Sequence, residues 1–162
     1  MTRVVERISR LEGTIKVPGD KSISHRALIL GAAARGRQVI DGISDAADVR
    51  STMDALRAMG CFVETMPDGC TMVLPNSFRS EFRIDAGNSG TTARLLAGLA
   101  AGRASRCEIT GDASLCRRPM RRVAEPLAQM GARITLTNEG TLPALIEGGP
   151  LHGIEYEMPV PS

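Results

Sequence analysis

The sequence contains no Trp, one Tyr and three Phe. A binder of single-stranded nucleic acid stacks bases on aromatic rings, and this chain has too few rings for that. Charge of one sign is also scarce. The 20 Lys and Arg stand against 18 Asp and Glu, a net charge of +2, well short of the positive field of a duplex binder. The longest apolar run, Ala27 to Ala34, has eight residues and includes Gly31; a bilayer span needs about 20. Residues Met1 to Arg7 offer no apolar stretch suited to a signal peptide, so the expected compartment is the cytoplasm, with no membrane or nucleic-acid partner. The four cysteines, Cys61, Cys70, Cys107 and Cys116, form no Cys-x-x-Cys pair, and His25 and His152 lie far apart. This pattern argues against a zinc site and for reduced thiols. No metal or cofactor is expected.

With 43% hydrophobic and 23% charged residues over 162 positions, the chain has the composition of a globular domain. Lysine is nearly absent from it. Of the 20 basic residues only Lys16 and Lys21 are Lys. Lys offers a compact charge whose pKa can move, which Arg does not, and this singles out Lys21.

An internal repeat organises the chain. Ser22 to Gly36 and Ser89 to Gly102 both begin with small and hydroxyl residues, continue through an Arg and an apolar run, and end at Gly. Each reads as a helix with a Ser start and a Gly stop. Each is followed by a short β-like segment, Gln38 to Ile40 and Cys107 to Thr110, and then by an Asp-Ala pair, Asp45-Ala46 and Asp112-Ala113. A second helix follows, with Val49, Met53, Leu56 and Met59 on one stripe in the first copy and Met120, Val123, Leu127 and Met130 in the second. Two strands then flank a turn: Phe62 to Thr65 and Thr71 to Leu74, and again Arg133 to Thr137 and Leu142 to Ile146. Gly13 to Val17 and Phe82 to Asp85 are the expected leading strands. The class is α/β with a repeated β-α-β-α-β-β unit. Pro119 suits a first helical position, and Pro126 falls inside a helix. A third helix start is due near Ser162, so the polypeptide is expected to continue.

Helix starts are the candidate site. Their first N–H groups lack partners inside the helix, and the dipole makes them positive. Gly19 to Arg26 and Gly87 to Arg94 both open helices and add cations, and Arg117-Arg118-Pro119 reads as a third start. Together they describe an anion site, with phosphate the best fit. Ser22 and Ser89 also fit simple N-caps. Arg121 and Arg122 read as a solvated helix face, His25 as a packed or surface residue, and Cys116 as a passive thiol. Asp20 separates Gly19 from Lys21-Ser22, so the segment is not a P-loop.

At Lys16 to Arg26, Asp85 to Arg94 and Gly111 to Met120, in order and with matching spacing, the chain resembles the 5-enolpyruvylshikimate-3-phosphate synthase family. The resemblance implies transfer of the enolpyruvyl group of phosphoenolpyruvate to the 5-hydroxyl of shikimate 3-phosphate, with release of phosphate, on the route to chorismate and aromatic amino acids. It implies the enolpyruvyl transferase fold, an inside-out α/β barrel, with two of the three units of one domain present here. Residues 1–20 would belong to the other domain, 21–87 to the first repeat, and 88–162 to the second repeat and the start of a truncated third. Lys21 would be catalytic. Lys21, Ser22, Arg26 and Ser162 would bind shikimate 3-phosphate. Lys21, Asn88, Gly90, Thr91, Arg94 and Arg118 would bind phosphoenolpyruvate. Gly90 is the position at which a larger side chain would crowd the family's inhibitor, glyphosate. The acid–base groups would lie in the missing C-terminal part, which makes this fragment inactive alone. A missing third unit would also expose apolar helix faces and strand edges and favour self-association. Two alternatives remain: a non-catalytic anion-binding module, and the UDP-N-acetylglucosamine enolpyruvyl transferase family. Against the latter, Ser22 stands where that family has Asn, and Ala113 where it has Cys.

Overall fold

In the computed structural model, which describes residues 4, 7, 9–75, 78–104 and 106–159, two small sheets share one layer of helices. The chain order is α1 (Lys21–Ala33), β1 (Gln38–Ile40), α2 (Ala47–Ala58), β2 (Phe62–Thr65), β3 (Thr71–Leu74), β4 (Glu81–Asp85), α3 (Gly90–Ala101), β5 (Arg106–Thr110), a 3-10 turn (Leu115–Arg117), α4 (Arg121–Gln129), β6 (Arg133–Thr135) and β7 (Ala144–Glu147). Among the described residues no helix is long and apolar enough to cross a membrane.

The repeat is visible in the strand order. The first sheet runs β1-β3-β2 and the second β4-β5-β7-β6. β1, β3 and β2 pair antiparallel throughout, as do β5, β7 and β6. β4 adds to the second sheet by pairing parallel to β5. The leading strand expected at Gly13 to Val17 does not form. That segment has no strand or helix assignment, and Leu11, Ile15 and Val17 are all exposed. Without a neighbouring strand its backbone has no ladder to join.

The apolar stripes read from the sequence are the buried ones. Val49, Met53, Leu56 and Met59 of the α2 segment are buried, as are Met120 and Leu127 around α4. Each large side chain removed from water contributes about 1.5–3 kcal/mol before entropy is counted. α3 is central, touching α1, α2, α4, β5 and β7. Its Ala93, Ala97, Ala100 and Ala101 are buried, and such small side chains let neighbours approach closely. α4 continues through Pro126.

Several boundaries differ from expectation. α1 begins at Lys21, with Asp20 rather than Ser22 as its cap. Pro119 is not the first helical residue; α4 opens at Arg121 after Met120. β6 stops at Thr135, and β7 begins only at Ala144, because Pro143 has no N–H to give a ladder.

Candidate anion site at two helix starts

The start of α1 is fixed by local polar contacts. The Ile23 N–H donates to Asp20 Oδ1 at 2.7 Å, and the Ser24 hydroxyl donates to the Asp20 carbonyl at 2.7 Å. The Ser44 N–H donates to Ser24 Oγ at 2.9 Å, which fastens the segment before α2 to α1. Gly19 lies against this segment: a Cβ built on it would stand 1.8 Å from the Gly42 carbonyl oxygen. Lys21 then reaches α2, where its Nζ pairs with Asp48 Oδ2 at 2.9 Å. Asp48 lies in the first turn of α2, where the dipole favours a carboxylate. The pair is partly exposed, so its worth lies in holding the ammonium in place more than in stability.

The start of α3 is built from two loops. Ser89 caps the helix by accepting from the Thr92 N–H at 3.1 Å. Asn88 donates through Nδ2 to Asp112 Oδ2 at 2.7 Å, and Arg118 donates through Nη2 to Asn88 Oδ1 at 2.6 Å. The Asp112 carboxyl is held below its usual range, first by the hydrogen bond from Asn88 and then by the Leu115 N–H. Arg94 donates to the Gly90 carbonyl at 3.4 Å and to the Pro119 carbonyl at 3.2 Å.

The positive charge at α3 is only partly compensated: Asp112, linked to Arg118 through Asn88, is the carboxylate that feels it. Burial lowers the Arg94 pKa, and the nearby Arg118 and Arg122 guanidinium groups lower it further. Among the described residues, Arg26, Arg94, Arg118 and Arg122 have no acidic partner within ion-pair distance. Guanidinium groups held together with no direct ion pair to a carboxylate keep donors free for an anion from outside.

The two starts are connected: the Thr92 hydroxyl of α3 donates to the Asp48 carbonyl of α2 at 3.3 Å. Asn88, Gly90, Arg94 and Arg118 lie together at the start of α3, and Lys21 is linked to that start through Asp48 and Thr92. Ser22, Arg26 and Thr91 are exposed on the opening turns of α1 and α3. Ser162 lies outside the described residues. Arg118 departs from expectation in one respect. It does not serve its own helix but ends the 3-10 turn in extended backbone, and its side chain reaches the start of α3. Arg121 is not simply a solvated face residue either, since it donates to the Asn138 carbonyl at 3.2 Å and packs on Gly140.

Asp48, Asp112 and Thr92 are site residues that the motif reading missed. Asp112 stands in the repeated Asp-Ala pair, and Asp48 is the acidic first-turn residue of the second helix. Both signals were in the sequence, without the partners that give them meaning.

The family model for EPSP synthase (3-phosphoshikimate 1-carboxyvinyltransferase) matches residues 5–162. The chain belongs to this family. It is 54% identical over 157 residues to a 3-phosphoshikimate 1-carboxyvinyltransferase of Halorhodospira halophila, covering 94% of this chain and 35% of that protein. It is 51% identical over 158 residues to the enzyme so named from Methylococcus capsulatus, again covering 94% of this chain and 36% of the relative. A solved EPSP synthase from Acinetobacter baumannii superposes with a TM-score of 0.83 at 40% identity, over 93% of this chain and 35% of that one. The chain therefore spans about a third of the length of these EPSP synthases. The enolpyruvyl transferase fold anticipated from the motifs is the fold of these structural neighbours.

Proposed function

We propose that this chain supplies part of the substrate site of a 3-phosphoshikimate 1-carboxyvinyltransferase, which moves the enolpyruvyl group of phosphoenolpyruvate onto the 5-hydroxyl of shikimate 3-phosphate. The observation that carries this reading is the cluster of guanidinium groups without a direct acidic partner at the start of α3, linked through Thr92 and Asp48 to Lys21. Both proposed substrates are multiply charged anions. Holding two of them side by side requires cations already in place, since ordering the charges in advance is what makes them effective in the transition state.

In this reading Lys21, Ser22 and Arg26, at the open end of α1, face shikimate 3-phosphate. Asn88, Gly90, Thr91, Arg94 and Arg118, at the start of α3, hold phosphoenolpyruvate, with Lys21 between the two. The attacking hydroxyl must lose a proton as C3 of the enol gains one. The groups that move those protons belong to the remaining two-thirds of the polypeptide, and Ser162 would join them at the shikimate 3-phosphate side. The division into residues 1–20, 21–87 and 88–162 and a cytoplasmic location belong to the same reading.

Calorimetric titration with shikimate 3-phosphate tests it. The unaltered chain is expected to bind, with Lys21→Ala weakening binding about tenfold, the scale of a lost charge-assisted contact. No phosphate release is expected when both substrates are added to this chain alone. Equal affinity in the Lys21→Ala chain would contradict the site assignment, and turnover by this chain alone would contradict its incompleteness.

A further inference from the structure

His25 of α1 is completely buried, and its Nε2 has no hydrogen-bond partner among the described residues. Its Nδ1 lies 2.7 Å from Thr52 Oγ1 of α2. Thr52 Oγ1 lies 2.7 Å from Thr92 Oγ1 of α3. Thr92 Oγ1 is 2.7 Å from Ser89 Oγ and 3.3 Å from the Asp48 carbonyl. One buried chain of polar atoms thus joins α1, α2 and α3.

Counting protons fixes its direction. Each hydroxyl has one proton and two lone pairs, and a carbonyl only accepts. Thr92 has one proton within reach of both Ser89 Oγ and the Asp48 carbonyl; given to the carbonyl, which cannot donate in return, it leaves the Ser89 proton an acceptor on Thr92, whose two lone pairs then accept from Thr52 and Ser89. The Thr52 proton is then committed, so Thr52 Oγ1 accepts from a protonated Nδ1. Every proton along the chain has an acceptor. The opposite direction puts the imidazole proton on Nε2, where it meets no acceptor among the described residues, and takes the Thr92 proton away from Asp48. A buried donor without an acceptor is the more costly arrangement. Burial also lowers the His25 pKa; of the facing charges, Asp48 raises it and Lys21 lowers it. Above pH 6.5 both the lowered pKa and the missing second acceptor favour a ring with one proton.

Thr52 is four residues after Asp48 in α2, and a helical Thr hydroxyl often bonds the carbonyl four residues back. Here Thr92 of a different helix takes that carbonyl. The hydroxyl of Thr92 thereby ties α3 to the residue whose carboxylate grips Lys21.

We infer that Thr92 is a positioning residue for Lys21, acting through Asp48, and that His25 stands in the chain as the neutral Nδ1–H tautomer. The inference rests on the proposed role of Lys21 and adds the device that orients it.

The chain's two lysines provide an internal comparison, because Lys16 lies in the exposed segment before α1. Competitive acylation with a limiting active ester, read by mass spectrometry, gives the Lys21:Lys16 labelling ratio. Thr92→Val, which keeps the shape and removes the hydroxyl, is expected to raise that ratio about fivefold, the scale of one net hydrogen bond. Thr92→Ser is expected to stay within about twofold of the unaltered chain. An unchanged ratio in a Thr92→Val chain with a native amide spectrum would overturn the inference. Should Thr92→Val fail to fold, long-range 15N–1H spectra of the unaltered chain decide. A protonated Nδ1 and bare Nε2 on His25 support the inference, and the reverse tautomer overturns it. Neither readout needs ligand, so failure of the unaltered chain to bind shikimate 3-phosphate would count against the proposed function alone.

Discussion

Arg118 donates to the side-chain oxygen of Asn88 at 2.6 Å, while Asn88 donates its own N–H to Asp112 at 2.7 Å. The guanidinium is therefore anchored at one nitrogen through a neutral amide, and the acid stays one residue removed. The rest of the fork remains available. Lys has no planar fork with which to make the anchor and grip an anion together. Arg118→Lys is expected to weaken phosphoenolpyruvate binding about tenfold or more, as measured by calorimetry, with little change in melting temperature.

Gly90 faces the neighbouring cation. A Cβ at this position would lie 2.6 Å from Arg94 Nη1 and 3.4 Å from Arg118 Nη1. Gly90→Ala must displace a flexible guanidinium, which costs folding little, and Ala adds up to about 1 kcal/mol of helix propensity. The expected outcome is unchanged or slightly higher stability in urea with phosphoenolpyruvate affinity reduced about tenfold. Reduced stability with full affinity would contradict it.

Gly19 is constrained by backbone. The 1.8 Å approach to the Gly42 carbonyl leaves no flexible atom to move aside. Gly19→Ala is expected to destabilise the chain by about 2 kcal/mol or more and to shift the amide signals of Asp20 and Lys21. Denaturant melts and amide spectra check both effects.

His25 ties stability to pH. Its folded pKa is lowered from 6.5, first by burial. Above pH 6.5 the ring is neutral in both states, so it adds no slope. As pH falls below 6.5 the unfolded state takes up the proton first, so stability is lost until the folded pKa is reached. Melting temperature is expected to be flat above about pH 7 and to fall below pH 6.5. His25→Asn should abolish that slope between pH 7 and 5.5. A slope unchanged in His25→Asn would contradict the assignment.

Much of the fold was legible because the repeat writes its pattern twice. Phe62 to Thr65 and Thr71 to Leu74 are strands with those bounds, since alternation and a Pro-Asp-Gly turn mark them locally. The stripe from Val49 to Met59 is likewise a local signal. What escaped depended on contacts distant in sequence. Gly13 to Val17 has strand composition, but a strand also needs a neighbour. Asp20 outcompetes Ser22 as the cap because its carboxylate reaches the Ile23 N–H, a matter of one residue of register. The motifs identified the cations, whereas the groups that orient them, Asp48, Asp112 and Thr92, are ordinary residues until the helices are brought together. His25 proved to be packed, and its value lies in Thr52, 27 residues away.

That the α1 and α3 starts hold two anions side by side in one site can be tested by amide chemical-shift mapping of this chain during titration with shikimate 3-phosphate and phosphoenolpyruvate together. Concerted, saturable shifts at residues 21–26, 88–94 and 118 are expected, with little movement around β6 and β7. Shifts confined to one of those segments, or centred on the β6–β7 end of the second sheet, would contradict a shared site.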